Sequence, residues 1–587
     1  MSLPSDYTIP EMLGRPLPDP AAAGQIPISE FITSPGVVDF NTPYNSFFRS
    51  YVSDKPYIKM TTLLDGDYAI AYAPVERMGQ IAKDLGLDYI NIFPYVCSLS
   101  DDVALAEAGI ISVQQQPNLD LRGSGVLMGF VDTGIDFTKD AFKYEDGTSK
   151  IRYIWDQTID EGPPPASFFS GTEYSQKKLS EALLSGDPLN IIPHRDDDGH
   201  GTFLASVGAS REKGKYIGAA PDSEIIMVKL RRARPYYLNK YAVPSWQENA
   251  FESSDVMLGV HYILLKAAEL GQPVSICLGV GSNFGSHDGT SLFEQYLYLI
   301  AGKNGVSLCV AVGNEANKKH HMMGKLENTG DTGDIDIRVA GQAEHLALAV
   351  WTSAYDRFSV SVRSPTGEVV TKVAIQAADV VFTRKLVLER SVVSVQYYLG
   401  ENNLAFVKID EPTPGIWTVT VHGDIVLDGD YHAWMPTAPL ISPGIEFLSP
   451  SPNYTTTIPS TAIGPISVGA YNSWDGSLYI ASSWGPTRLP VIIPDLVAPG
   501  VNINGIFPHG YGIMSGTSIA AAITAGACAI MLQWGIIDGN DSYINTYKLR
   551  SFLVRGCERS ENLRYPNIQW GYGILNLINT FNLLKKL

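Results

Sequence analysis

From Gly125 onward, short apolar runs alternate with segments of helical period, and this alternation restricts the fold more than any other feature of the chain. Strand-like runs occupy 126–131, 225–230, 273–278 and 306–312, and helical patterns occupy 253–270 and 518–534. Strands separated by helices build βαβ units, whose strands lie parallel and whose functional loops gather at the carboxyl ends of the strands. An α/β domain with a parallel sheet follows. Between about 331 and 436 the pattern changes to short alternating runs such as HLALAVW, RFSVSVRS, VVTKVAI, LAFVKI and IWTVTVHG, separated by turn residues. No helical period interrupts them, which predicts an all-β insertion, a sandwich of the jelly-roll kind.

Ahead of the parallel-sheet text, 67–74 (DYAIAYAP) reads as a strand, 75–85 as an amphipathic helix and 89–96 (YINIFPYV) as a second strand, a small βαβ-like unit. Residues from 1 to about 55 are rich in Pro, Ser and Asn and are expected to form an irregular arm. At 587 residues, more than one domain is expected. A net charge of −18 argues against nucleic-acid or anionic-membrane partners, which need basic surfaces. The short basic cluster Arg231, Arg232 and Arg234 is expected to be a solvated loop face. Five widely spaced cysteines with no C-x-x-C pair suggest neither a zinc site nor a disulfide framework, and a reducing compartment fits. There is no apolar leader in residues 1–24 and no run of about 18 apolar residues, so neither a signal peptide nor a membrane span is expected.

The strand ends carry the chemistry. In GVLMGFVDTGIDF an apolar strand ends at Asp132, a shielded carboxylate placed as one that fixes an imidazole must be. An Asp capping the next turn would read the same way, because Asp-Thr-Gly arises easily. In DDDGHGTFLASVGAS, His200 opens a small-residue helix, where a general base is held still with its ring accessible. The competing reading is a surface histidine in a polar loop, and the other nine histidines, His320 and His321 included, are read that way. Asp196 to Asp198 are expected to form a solvated acidic run, since no ligand pattern supports a cation site there. GIMSGTSIAAAITAGACAIM sets Ser518 at the start of an Ala-rich helix, whose free N–H groups and dipole favour an oxyanion; a serine N-cap is the plainer alternative. VSLCVAVGNEAN delivers Asn314, whose amide can donate to that oxyanion or simply make a turn. PVSICLGVGS runs into Gly279 and Gly281, leaving backbone open to an added peptide strand.

These five segments, in this order, resemble the subtilisin-like (S8) serine peptidases: VDTGID, HGTFLASVGAS, ICLG, AVGNE and GTSIAAA each match a family motif. The resemblance implies Asp132 as orienting carboxylate, His200 as general base, Ser518 as nucleophile and Asn314 as oxyanion donor. It implies Cys277, Leu278, Gly279, Ala311, Val312 and Gly313 as substrate-binding positions. Two departures, Ala522 where the family usually has Pro and Cys277 where it usually has a small polar residue, bear on helix geometry and substrate preference. Cys277 and Cys309 are otherwise read as small core hydrophobes. No cofactor is implied; family members often hold calcium, for which no ligand set is legible here.

With the N-terminal unit, the all-β insertion and the phrase SVQQQPNLDLRGSGV, the sequence further resembles the Csp-type germination proteases of clostridia. That resemblance implies an α+β prodomain at 1–100 that chaperones folding, is cut off near 96–106 and stays bound. The catalytic domain would be 101–325 with 441–587, and the jelly-roll insertion 326–440. The implied substrate is the inactive precursor of a spore cortex hydrolase, in the cytoplasm or spore of a bacterium. Two alternatives stay open: a general subtilisin-like peptidase without a germination role, and a signalling pseudoprotease, whose mark, loss of Asp, His or Ser, this chain lacks.

Overall fold

Strands Leu127–Asp132, Val274–Leu278 and Val306–Ala311 are buried along their whole length, as continuous apolar runs must be when both faces of a parallel sheet are covered. The computed structural model describes residues 28–585 except 35, 54, 56, 66–67, 87–92, 100–107, 117–120 and 212–215. The central sheet has eight strands, in spatial order Leu496–Pro499, Ile466–Tyr471, Val306–Ala311, Val274–Leu278, Leu127–Asp132, Glu224–Lys229, Ile151–Asp156 and Thr172–Ser175. Neighbours are parallel except for the last, antiparallel strand. Period-two alternation splits the side chains between two cores. Met128, Phe130, Cys277, Cys309 and Ala311 face the helices His200–Ala209 and Thr517–Leu532, whereas Leu127, Val131, Ile276 and Leu308 face the helix Ser253–Leu270.

The Ala-rich helix Thr517–Leu532 is buried at every position, and a π-helical turn, Gln533–Ile537, extends it. Counting consecutive apolar residues missed that 517–537 is long and apolar enough to cross a membrane by length and composition. It is instead a core helix, with 89% of its most apolar window inside the protein.

The N-terminal unit differs from the expected irregular arm and βαβ unit. Residues expected in the arm form a helix, Ile28–Thr33, a strand, Val37–Pro43, and a second helix, Ser46–Ser53. The sheet is antiparallel, in the order Val37–Pro43, Tyr68–Pro74, Lys59–Leu64. The strand expected at 67–74 and the helix expected at 75–85 are present as Tyr68–Pro74 and Met78–Leu85; residues 89–92 of the expected strand 89–96 lie outside the described residues, and pairing begins at Val96. Val38, Phe40, Ile70 and Tyr72 pack with residues of the Ser253–Leu270 helix in one core.

The basic cluster is not a solvated face. Arg231 grips Asp255 with two bonds of 2.8 and 2.7 Å. Arg234 reaches both Asp39, at 2.9 Å, and Glu252, at 2.5 Å, and both carboxylates are buried. Asp39 belongs to the N-terminal unit, so the Arg234 guanidinium ties that unit to the parallel-sheet domain. Among the described residues, Arg234 is the one cation both buried side chains reach, so removing it would leave a buried charge unpaired.

The insertion is a β-sandwich. One sheet runs His321–Lys325, Asp430–Trp434, His345–Ser353, Asn402–Asp410, Val392–Tyr398, Val381–Lys385; the other runs Val369–Val373, Arg357–Arg363, Gly415–Ile425, Thr332–Val339, Ile445–Phe447. Its ladders cover 321–447, wider than the expected 326–440, because His321–Lys325 and Ile445–Phe447 pair into the two sheets. Leu346, Leu348, Val350, Ala405 and Val407 point into the sandwich core. The alternate residues Ala347, Ala349, Trp351, Leu404 and Phe406 join the core of the parallel-sheet domain instead. The sheet thus buries both faces. Trp351 alone, 1% exposed, contributes about 4–6 kcal/mol of transfer free energy at most.

His320 and His321 are not in an exposed loop; both are buried. His321 Nε2 lies 3.1 Å from His432 Nδ1, and both rings pack around Trp434, on which His287 also stacks at 4.1 Å and 4°. Burial, aided by neighbouring positive charge, pushes His321 down to about 3 and His432 to about 2. Such histidines bind protons more readily in the unfolded chain, so stability is lost as pH falls below about 6.5, at about 1.4 kcal/mol per pH unit for each ring. Chemical denaturation between pH 6.5 and 4.5 should therefore show a steep acid slope that His432→Phe, which keeps a ring against Trp434, reduces by one ring's share; an unchanged slope would remove this pair from the account.

Candidate active site

Asp132 is the last residue of its strand, 1% exposed, and its Oδ1 accepts from the Thr133 amide at 2.8 Å. The same oxygen meets His200 Nδ1 at 2.7 Å. His200 Nε2 lies 3.2 Å from Ser518 Oγ. Three residues, successive ones 68 and 318 positions apart in the chain, thus form one continuous hydrogen-bonded row.

Close backbone approach makes this row attainable. A Cβ on Gly201 would sit 2.2 Å from the Gly134 carbonyl oxygen and 3.1 Å from Asp132 Oδ1, so the His200 helix can meet the strand end only with glycine there. Thr133 Oγ1 accepts from the Gly201 amide at 2.9 Å. The helix start is fixed by Asp196, which is buried rather than solvated: it accepts from Gly199 N at 2.8 Å, and from Thr202 N and Oγ1 at 2.8 and 2.6 Å. The Gly199 and Thr202 N–H groups are among the amides a helix leaves unpaired at its first turn. Asp198 accepts from the His200 amide at 3.2 Å, and burial pushes its carboxyl up. At the other end of the helix, the buried Lys150 ammonium donates to the Ala209 carbonyl, a favourable place for a cation. Neither acidic residue's part was read from the sequence; an Asp four residues before a helix-opening His is the signal that could have found Asp196.

Ser518 is the second residue of its helix, so its amide lies in the turn with no intrahelical acceptor. Thr517, missed by sequence reasoning, joins two elements: its N and Oγ1 both donate to Asn314 Oδ1 at 3.2 Å, and its Oγ1 accepts from Gly313 N at 3.1 Å. With its oxygen engaged, Asn314 keeps its Nδ2 group for donation. The next residue, Glu315, anchors the loop by accepting from Ala438 N at 2.9 Å and by pairing with His320 at 2.8 Å.

Gly279 lies against the row itself: a Cβ there would be 3.1 Å from Ser518 Cβ and 3.2 Å from His200 Cε1. Cys277 and Leu278 are buried in the central sheet, and burial, then the neighbouring Asp132 charge, pushes the Cys277 thiol well up, so it stays neutral. Ala311 and Val312 are likewise buried; Val312 O accepts from Thr457 N at 2.9 Å, and Gly313 O from Ser483 N at 3.0 Å. Of the six expected substrate positions, Gly279 touches the row directly, and Val312 and Gly313 spend backbone bonds on holding the Asn314 loop.

Past Gly279, Val280–Gly281 pairs antiparallel with Val96–Leu99 of the N-terminal unit. The opposite edge of Val96–Leu99 pairs with Phe251–Glu252, and Ser253 N donates to Tyr95 O at 2.8 Å. A segment of the N-terminal unit is therefore the middle strand of a three-stranded sheet that runs toward Gly279 and Ser518.

The CspB protease of Clostridium perfringens has the same fold, with a TM-score of 0.71 at 31% sequence identity over 82% of this chain and 98% of CspB. The chain belongs to the subtilase family. A Subtilase family model matches residues 442–573, the segment that carries Ser518. Pyrolysin of Pyrococcus furiosus is 29% identical over 171 residues, 24% of this chain, and the chain spans only 12% of pyrolysin's length. The chain is thus a subtilisin-like serine peptidase, related to the Csp proteases.

The Asp196 cap yields a direct test of how this subtilase holds its histidine helix. Asp196→Ala should lower stability to chemical denaturation by about 1–2 kcal/mol, the range for losing a helix cap, while Asp197→Ala, an exposed neighbour, should change it by less than about 0.5 kcal/mol.

Proposed function

We propose that this chain is a serine endopeptidase that cuts its own N-terminal unit and then processes a protein precursor. The observation that carries the reading is the row Asp132–His200–Ser518, with spacings of 2.7 and 3.2 Å. Ser518 Oγ attacks the scissile carbonyl carbon while His200 Nε2 takes its proton. Asp132 holds the Nδ1–H tautomer and stabilises the imidazolium that forms. The carbonyl oxygen becomes an oxyanion held by the Ser518 amide and Asn314 Nδ2, a donor worth about 3 kcal/mol in the transition state. Collapse expels the amine, protonated by His200, and leaves an acyl group on Ser518. Water, deprotonated by the same imidazole, then releases the acid.

Substrate binds by strand addition to Val280–Gly281 and Phe251–Glu252, the edges that hold Val96–Leu99. The direction of that segment supports self-cleavage: its last paired residue, Leu99, lies opposite Val280, next to the Gly279 that touches Ser518. The cleaved unit would remain docked through Arg234 and the shared apolar core. By resemblance to the Csp proteases, the later substrate is the inactive precursor of a spore cortex hydrolase.

Intact mass of the purified protein tests the reading. Wild type should appear as two chains split near 96–106, and Ser518→Ala as one full-length chain, since losing such a nucleophile slows catalysis about a millionfold. A full-length wild type, or a Ser518→Ala protein trimmed equally, would contradict it.

A further inference from the structure

The segment that leads into the groove strand carries two aromatic side chains, Phe93 and Tyr95, and neither is exposed. Tyr95 enters a pocket whose two sides come from different units. Tyr241, Phe284 and Gly285 of the parallel-sheet domain form one side, and Trp351, Tyr398 and Phe406 of the sandwich form the other. The fit is close: a Cβ on Gly285, whose φ is +120°, would lie 3.2 Å from Tyr95 Cζ, and about 20 Å³ remains unfilled, the space of one water. The two sides also pack on each other, with the Phe406 ring 6.4 Å from Tyr241 and 6.3 Å from Phe284. Tyr241 further donates its hydroxyl to Pro94 O at 3.2 Å, and the Lys240 ammonium lies 3.6 Å over the Phe93 ring.

Position along the groove gives the pocket its meaning. Leu99 pairs with Val280, one residue short of Gly279, so the carbonyl that meets Ser518 belongs to Leu99 or a later residue. Tyr95 therefore lies at least four residues upstream of the residue whose carbonyl is attacked. Strand addition holds any extended peptide by its backbone, and discrimination comes from pockets for alternate side chains. We infer that the cleft between the sandwich and the parallel-sheet domain is an upstream recognition subsite, selecting substrates with an aromatic side chain at the position Tyr95 occupies. The inference rests on the proteolytic reading above and deepens it. It also gives the insertion a role in the reaction, since the sandwich face that carries Trp351 and Phe406 supplies half the walls.

The test follows self-cleavage of freshly refolded full-length chain by intact mass, for wild type, Tyr95→Phe, Tyr95→Leu and Tyr95→Ala. Labelling of Ser518 by a small fluorophosphonate is read on each sample, and the ratio of cleavage rate to labelling rate is compared. A variant that merely folds badly loses both rates together and keeps the ratio. Recognition predicts that the ratio falls least for Phe, further for Leu, and about tenfold or more for Ala, the scale of losing a buried aromatic anchor. Leu keeps an apolar group in the pocket, so the ranking is readable even where Ala folds poorly. Equal ratios for wild type, Leu and Ala would overturn the subsite while leaving the protease reading intact. A wild type that labels but never cleaves, or does neither, would overturn that earlier reading instead.

Discussion

The 2.7 Å bond between Asp132 and His200 is the interaction on which the rest of the arrangement depends. It joins two side chains each 1% exposed, and a carboxylate and an imidazole are taken out of water together only if both stay paired. Holding them there needs the strand end and the helix start in van der Waals contact, which Gly201 permits, and a helix start that cannot fray, which Asp196 provides. The Ala-rich helix Thr517–Leu532, buried throughout, then brings Ser518 to the other nitrogen of the same ring, Nε2. Small residues at these contacts are a condition for the chemistry, since larger ones would push the three elements apart.

Around that row the protein is built as three units meeting along one groove. The N-terminal unit lays a strand in the groove and is tied down by Arg234, which shares its charge between Asp39 and Glu252. The sandwich turns alternate residues of the same strands into its own core and onto the parallel-sheet domain, so its docking is continuous with its folding. Glu315, one residue past Asn314, connects that docking to the site by bonding both His320 and Ala438 N. The loop that carries Asn314 and the sandwich are therefore joined by direct hydrogen bonds.

Much of this was legible in the sequence because the physics is local. A strand buried on both faces is a continuous apolar run, and 127–132, 274–278 and 306–311 announce themselves in that way. Alternation likewise announced the sandwich strands. Asp132 and Asn314 stand out because they follow such runs, His200 and Ser518 because they open small-residue helices, and all four because their order resembles one family. What was missed depends on partners far away in the chain. The strand Val37–Pro43 (VVDFNTP) carries Asp39 and Asn41 inside, so it has neither pattern, and Asp39 finds its cation 195 positions later. Arg231 and Arg234 looked like a solvated cluster for the same reason. His321 sits in a polar run, HHMMGK, and becomes a core residue only through His432, 111 positions away. Asp196 looked like one of three solvated acids, although its partners are three and six residues on.

The most direct measurement is to locate the residue that a fluorophosphonate modifies, by digesting labelled wild-type protein and fragmenting the adduct peptide. The account predicts a single adduct on Ser518, and its loss in His200→Ala, which removes the base but leaves the serine in place. An adduct on another serine, or undiminished labelling of Ser518 without His200, would contradict it.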